Sequence, residues 1–270
     1  MHTIFIKIIV IIFLATAITS CSQISAYSRS TSHFKSFEKD QRIYYENGTL
    51  DLALQIYPYL GNIVKNVEIM QYSKFCREIK IYICKDKESF SCFTGLSPKA
   101  KAAVFNGNVF ISPILREQPE RIVSITTHEL SHLHFIHKIG TWKFLRHIPS
   151  WFSEGLAVVV SNGGGAETVT ENEAAAAIRE GNVFAPDNSG SFIFPKTASS
   201  YGLKPHMFYR QSSIFVRFLM QHDGEKFKSL LESIQNGKKF HDAFQASYGG
   251  KLDDYWYMFK KNIGDAESIG

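Results

Sequence analysis

Thr127-His128-Glu129-Leu130-Ser131-His132 sets two imidazoles and a carboxylate in the pattern H-E-x-x-H. On a helix, residues four apart differ by about 40° in direction and about 6 Å in height, so both rings face one way and can close on a single ion. Glu129, one position past His128, turns away far enough to miss that ion and stays close enough to reach a water beside it. The chemistry this spacing serves is metal-assisted hydrolysis, with Zn2+ as the ion. A chance polar pair is a poor competing explanation. Ile122, Ile125, Leu133 and Ile136 make the surrounding segment apolar, and two His and a Glu inside it need partners.

A third ligand decides what kind of site this is. The metzincin pattern needs Gly at position 135 and His at 138, and the chain has Phe135 and Lys138. Downstream, Pro149-Ser150-Trp151-Phe152-Ser153-Glu154-Gly155-Leu156-Ala157 puts a carboxylate on a second helix, after a loop long enough to bring the chain back beside the first. Together, H-E-L-S-H and W-F-S-E-G-L-A resemble the gluzincin metallopeptidases, in the aminopeptidase-like branch with its peptidase MA-like domain, whose second motif is W-x-N-E-G-[FL]-A. The resemblance implies that Glu154 is the third ligand. Ser153 replaces the family's Asn, a departure that leaves the metal set intact and changes the hydrogen bonding next to it.

The same branch opens a later helix with Y-x-[KQ]-[GSA], and its Tyr stabilises the tetrahedral oxyanion. Tyr209-Arg210-Gln211-Ser212 fits that pattern, so the resemblance implies that role for Tyr209. It covers roughly residues 40–262, with its specific motifs inside 128–212. The implied activity is a zinc peptidase acting on peptides or proteins, with Glu129 as general base and acid. The branch also carries a G-x-M-E-N segment that grips a free N-terminus. None stands upstream of His128, which tilts the reading toward an endopeptidase or an enzyme of narrow specificity. Two alternatives stay open: a zinc-binding module without catalysis, and a zinc hydrolase of a non-peptide amide such as a cell-wall component. His147 and His206 are further candidates for substrate contact. His134 and His137 lie about 200° and 500° round the helix from His132, so they are expected to pack or to face solvent.

The elements that must hold these residues read as strands first and helices after, an α+β fold with a small antiparallel or mixed sheet, a central metal-bearing helix and a helical C-terminal half. Short strands are expected at Arg42 to Tyr45 and Glu78 to Ile83, and a hairpin over Val104 to Ser112 turning at Asn106-Gly107. Strand Asn108 to Ser112 is expected to be an edge on which an extended substrate could add. A helix from Leu50 to about Met70 is expected to break near Pro58. The metal helix should run from Pro119 to about Lys138, the Glu154 helix from near Trp151 to before Gly163-Gly164-Gly165, and a third from the Thr170/Glu173 capping box toward Gly181. Residues 182–206 read as a long loop, and the rest as four helices broken near Gly224, Gly237 and Gly249-Gly250.

Composition agrees with a packed domain: 44% of the chain is apolar, with 22 Phe and 12 Tyr. The net charge of +5 is scattered, with no basic tract longer than two, so nucleic acid is not an expected partner. At the N-terminus, Lys7 and the apolar run Ile8 to Ile18 read as a secretory signal, too short for a span of about 30 Å. Ile18-Thr19-Ser20-Cys21 resembles a bacterial lipobox, which implies a lipid anchor on Cys21 and residence in the cell envelope. Ser22 after the Cys implies the outer membrane if the cell has one. The expected layout is a signal peptide over 1–20, lipidated Cys and tether over 21–39, the metallopeptidase domain over 40–262 and a tail over 263–270. Of the other cysteines, Cys76 and Cys84 flank an extended stretch of about 26 Å, beyond disulfide reach, so any bridge should involve Cys92.

Overall fold

A computed structural model describes Ala26 and residues 28–191 and 194–265; the expected signal and Cys21 lie outside them. The chain divides into two compact units, Met1–Pro58 with Ile79–Glu120, and Tyr59–Glu78 with Arg121–Gly270. One helix, α1 (Leu50–Met70), runs through the first boundary. It buries Leu52, Ile56, Leu60, Ile63 and Val67 along one face. The break expected at Pro58 does not occur. Tyr57, Pro58 and Tyr59 are exposed, so the carbonyl that loses its partner to proline lies on the solvent side, where water can satisfy it.

The first unit holds a five-stranded mixed sheet in the order β1-β2-β3-β5-β4, formed by β1 (Lys35–Ser36), β2 (Ile43–Tyr45), β3 (Ile81–Ile83), β4 (Ala102–Phe105) and β5 (Asn108–Ile111). Alternation sorts the strands into two faces. Ile43, Ile81 and Val109 stand in register and are fully buried. On the other face Tyr44, Tyr82 and Phe110 form a stack with ring centroids 5.0 and 5.2 Å apart. Phe34, Phe90 and Phe93 complete that aromatic cluster. The β4–β5 hairpin turns at Asn106 and Gly107, both at positive φ, as the Asn-Gly pair dictates.

Three expectations are corrected in this unit. Strand β5 is not an edge, because β3 and β4 occupy both its sides, so no substrate strand can add to it. The expected strand from Glu78 pairs only over Ile81–Ile83. Order also begins before residue 40: Lys35 pairs with Tyr45, Phe34 and Phe37 are buried, and His33 Nε2 meets Glu46 Oε1 at 3.0 Å, so part of the stretch expected as tether belongs to the fold. A helix not expected from sequence, α2 (Lys87–Thr94), is capped by the Asp86 carboxylate, which accepts from Ser89 N at 2.6 Å, and ends at a left-handed Gly95. Its Ser, Cys, Thr and Phe are weak helix formers, and packing of Phe90 and Phe93 stabilises it instead.

The second unit is helical. It contains α3 (Ile122–Ile139), α4 (Thr141–His147), α5 (Ser150–Val160), α6 (Glu171–Arg179), α7 (Pro205–His222), α8 (Gly224–Gln235), α9 (Phe240–Tyr248) and α10 (Leu252–Asp265). Pro119 starts a 3-10 turn ahead of α3. The capping box at Thr170 and Glu173 forms as read, with Thr170 N to Glu173 Oε2 at 2.7 Å. The core is aromatic: Trp151, Phe152, Phe184, Phe215, Phe240 and Phe259 are all at least 98% buried. No described helix is long and apolar enough to cross a membrane. Cys76, Cys84 and Cys92 are all free thiols, so the bridge considered for Cys92 is absent.

Candidate metal centre

Helix α3 is covered on nearly all sides, which is why its apolar residues do not form one stripe. A buried polar network fixes its axial position: Gln71 Nε2 donates to Ser131 Oγ at 2.7 Å, Gln235 Nε2 to Gln71 O at 2.8 Å, and Ser73 Oγ to Gln235 Oε1 at 2.6 Å. His134 joins it through Ser73 O at 2.9 Å and is fully buried; burial holds its imidazole down at about 4, hence neutral. His137 is buried as well. Both are packing residues rather than solvent-facing ones.

With α3 so fixed, His128 and His132 project from successive turns, their Nε2 atoms 3.1 Å apart. Glu154 on α5 brings Oε2 to 3.3 Å from His128 Nε2 and 3.6 Å from His132 Nε2. A tetrahedral ion with bonds of about 2.1 Å requires ligand atoms about 3.4 Å apart, so these three edges fit three ligands of one such ion. The donor set, two nitrogens and a carboxylate oxygen, suits a divalent transition metal. Burial pulls the His128 imidazole down, but the hydrogen bond and charge of Glu154 outweigh it, and the net is a rise to about 9. Burial pushes the Glu154 carboxyl up, and the two imidazoles more than offset it, holding it well below the usual carboxylate range.

The sequence explains why Glu154 points here. Trp151 and Phe152 bury in the aromatic core and anchor α5, with Trp151 Nε1 donating to Asp187 O at 2.9 Å. Gly155 permits close packing of α5 on α7: a Cβ there would stand 2.6 Å from the Ser212 carbonyl oxygen. That approach carries Tyr209, in the first turns of α7 after Pro205, to the trio, its ring centroid 6.3 Å from that of His128. The negative charge of Glu154, then burial, then Glu129 push the Tyr209 phenol far above its ordinary value, so it stays a donor. Glu129 is half-buried and outside the trio, yet its charge is felt at both His128 and Tyr209.

His147 and His206 are not drawn into the cluster. His147 ends α4, and burial together with Lys239, Lys143 and Arg146 lowers its pKa. His206 Nδ1 accepts from Thr168 N at 3.2 Å, so it is tied to a loop. Sequence reasoning missed two contributors. Phe144 on the unexpected α4 packs edge-on against His132, with centroids 5.9 Å apart. The Gly163–Gly165 run, read only as a helix stop, supplies the carbonyl that meets His128 Nδ1 at 2.9 Å from Gly164. This bond puts the proton on Nδ1 and leaves the Nε2 lone pair for an ion. Gly165 lies flat on the same ring at φ 86°, where a Cβ would come within 2.9 Å of His128 Cε1. Gly165→Ala is therefore expected to weaken metal binding by about 10- to 100-fold and to cost about 1–3 kcal/mol of stability. Metal titration and thermal melting check both.

An imidazole pair and a carboxylate from two packed helices form a candidate metal centre, with the phenol of a third helix close by. Residues 103–262, more than half of the chain, match the family model described as the Peptidase MA superfamily, and the chain belongs to that superfamily. A search of curated proteins finds no match. Among solved structures the fold is similar to that of native yeast LTA4 hydrolase, with a TM-score of 0.54 and 11% sequence identity, covering 85% of this chain and 37% of that one. The chain thus spans little more than a third of that protein's length.

Proposed function

We propose that this chain is a zinc-dependent peptidase of the gluzincin type, with His128, His132 and Glu154 holding the metal. The observation that carries the reading is the set of three ligand edges, 3.1, 3.3 and 3.6 Å, in a chain of the Peptidase MA superfamily. Zinc held by these three residues would supply a Lewis acid and would bring the pKa of a coordinated water toward about 7. Glu129 would take a proton from the water whose oxygen bonds to the peptide carbonyl carbon, and would return it to the amine released when the C–N bond breaks. Tyr209, kept protonated by its acidic neighbours, donates to the oxygen on which charge develops. Gly164 holds His128 in the tautomer the site needs. The want of a G-x-M-E-N segment supports an endopeptidase or narrow specificity over general aminopeptidase activity.

The reading of Tyr209 has its own test. Tyr209→Phe keeps the ring and its packing and removes one donor aimed at charge present mainly in the transition state. The turnover number is expected to fall by about 10²-fold or more, with metal content and KM nearly unchanged. A loss confined to KM would make Tyr209 a ground-state contact instead.

The lipobox supports attachment to the cell envelope through lipid on Cys21, with the outer membrane as destination where one exists. Cys21→Ser is expected to release the protein from membranes or block its processing. Absence of labelled fatty acid from the parent protein would reject the anchor while leaving the catalytic reading intact.

A further inference from the structure

We infer that Arg210 is a positioning residue for His128, acting through the loop that carries the Gly164 carbonyl; this rests on the metal-site reading above. His128 Nδ1 meets that carbonyl at 2.9 Å, so the ring is only as well placed as the loop. The loop departs from regular structure. Asn162, Gly163 and Gly165 have φ of 52°, 104° and 86°, and its own turns are closed by Ala166 N to Gly163 O and Val169 N to Ala166 O, each 3.1 Å.

The guanidinium of Arg210 spans this loop. Its Nε donates to Val169 O at 2.8 Å and its NH2 to Ala166 O at 3.1 Å. A Cβ on Gly163 would lie 3.4 Å from the same group, so Arg210 underlies the segment from 163 to 169. The side chain is only 12% exposed, with Glu171 Oε1 4.0 Å away. Glu171 is shared with Arg217, which reaches it at 2.7 Å. Two carbonyls at different angles suit a planar fork of donors and not a single ammonium.

The position in sequence adds the functional point. Arg210 follows Tyr209, so one turn of α7 presents the phenol to the site and clamps the loop that orients a ligand of the same site. The bridge through Ala166, Val169 and Gly164 ties the oxyanion donor and the metal ligand to a common support. Loss of the clamp should first appear as poorer metal retention.

The test compares the parent protein with Arg210→Met, Arg210→Lys and Arg217→Met. The zinc dissociation constant is read by competition with a chromophoric chelator, ligand geometry by the visible spectrum of the Co2+-substituted protein, and folding by circular dichroism. Arg210→Met is expected to bind zinc about 10-fold or more weakly and to shift the cobalt bands. Arg210→Lys should lose at least about threefold, since it keeps the charge but not the fork. Arg217→Met, which touches no loop carbonyl, should stay within about twofold of the parent. The inference is overturned if Arg210→Met stays within that margin with unchanged cobalt bands, or if Arg217→Met loses as much. Should Arg210→Met fail to fold, Arg210→Lys decides: affinity equal to the parent's overturns the inference. A folded parent that binds no zinc overturns the metal-site reading, and this inference with it.

Discussion

His132→Ala is expected to leave a folded protein that retains no zinc through dialysis and hydrolyses no peptide above background. One of three ligands goes, and the loss in affinity should far exceed the about 100-fold that removal of an outer partner costs. His132 is the cleaner choice of the two histidines. Its ring is partly exposed and packs against Phe144, whereas His128 is buried beneath Gly165 and bonded to Gly164. His128→Ala should lose the metal equally and lower the melting temperature as well, because it opens a cavity and leaves the Gly164 carbonyl with one partner fewer. Full zinc occupancy in both variants, measured by elemental analysis after dialysis, would remove these residues from the metal set.

Glu129→Gln should show the opposite division: zinc retained, turnover lost. Glu129 contributes no edge to the trio, so the metal has no reason to leave. The amide matches the carboxylate in shape and cannot take a proton, and general acid-base catalysis of this kind contributes about 10²- to 10⁴-fold. The loss should fall on kcat, since a neutral isostere in a half-buried position changes substrate binding little. Turnover within a few-fold of the parent would mean that the proton goes elsewhere. The same pair of measurements separates the competing readings: a zinc-binding module without catalysis would give a parent protein as inactive as the variant, and a hydrolase of non-peptide amides would split the parent from the variant only on such a substrate.

The trio was legible because its spacing is set by helix geometry and its third member by a motif. His128 and His132 are one turn apart, and the motif around Glu154 contains the residues that aim it, Trp151 into the core and Gly155 against α7. The helices were legible for a similar reason, as apolar periodicity and Gly or Asp punctuation mark most of their ends. What escaped depends on contacts across long separations in sequence. The Gly164 carbonyl is backbone and carries no side-chain signal, though three consecutive glycines beside a metal helix could have suggested close backbone approach. Helix α4 is seven residues long, too short for its period to stand out, and its Phe144 matters only once the chain has folded back on His132. The place of β5 inside the sheet follows from β3 joining it in parallel through a long connection, which local alternation cannot reveal. The ordered stretch around Phe34 was hidden by its serines, and only the aromatic cluster explains its burial.

The central claim is that one zinc ion sits among His128, His132 and Glu154, and anomalous diffraction at the zinc edge from crystals of the metal-loaded protein tests it most directly. A single strong peak within about 2.0–2.2 Å of His128 Nε2, His132 Nε2 and a Glu154 carboxylate oxygen is the expected result. A loaded protein whose anomalous peak lies elsewhere, or that shows none at this position, would contradict the account.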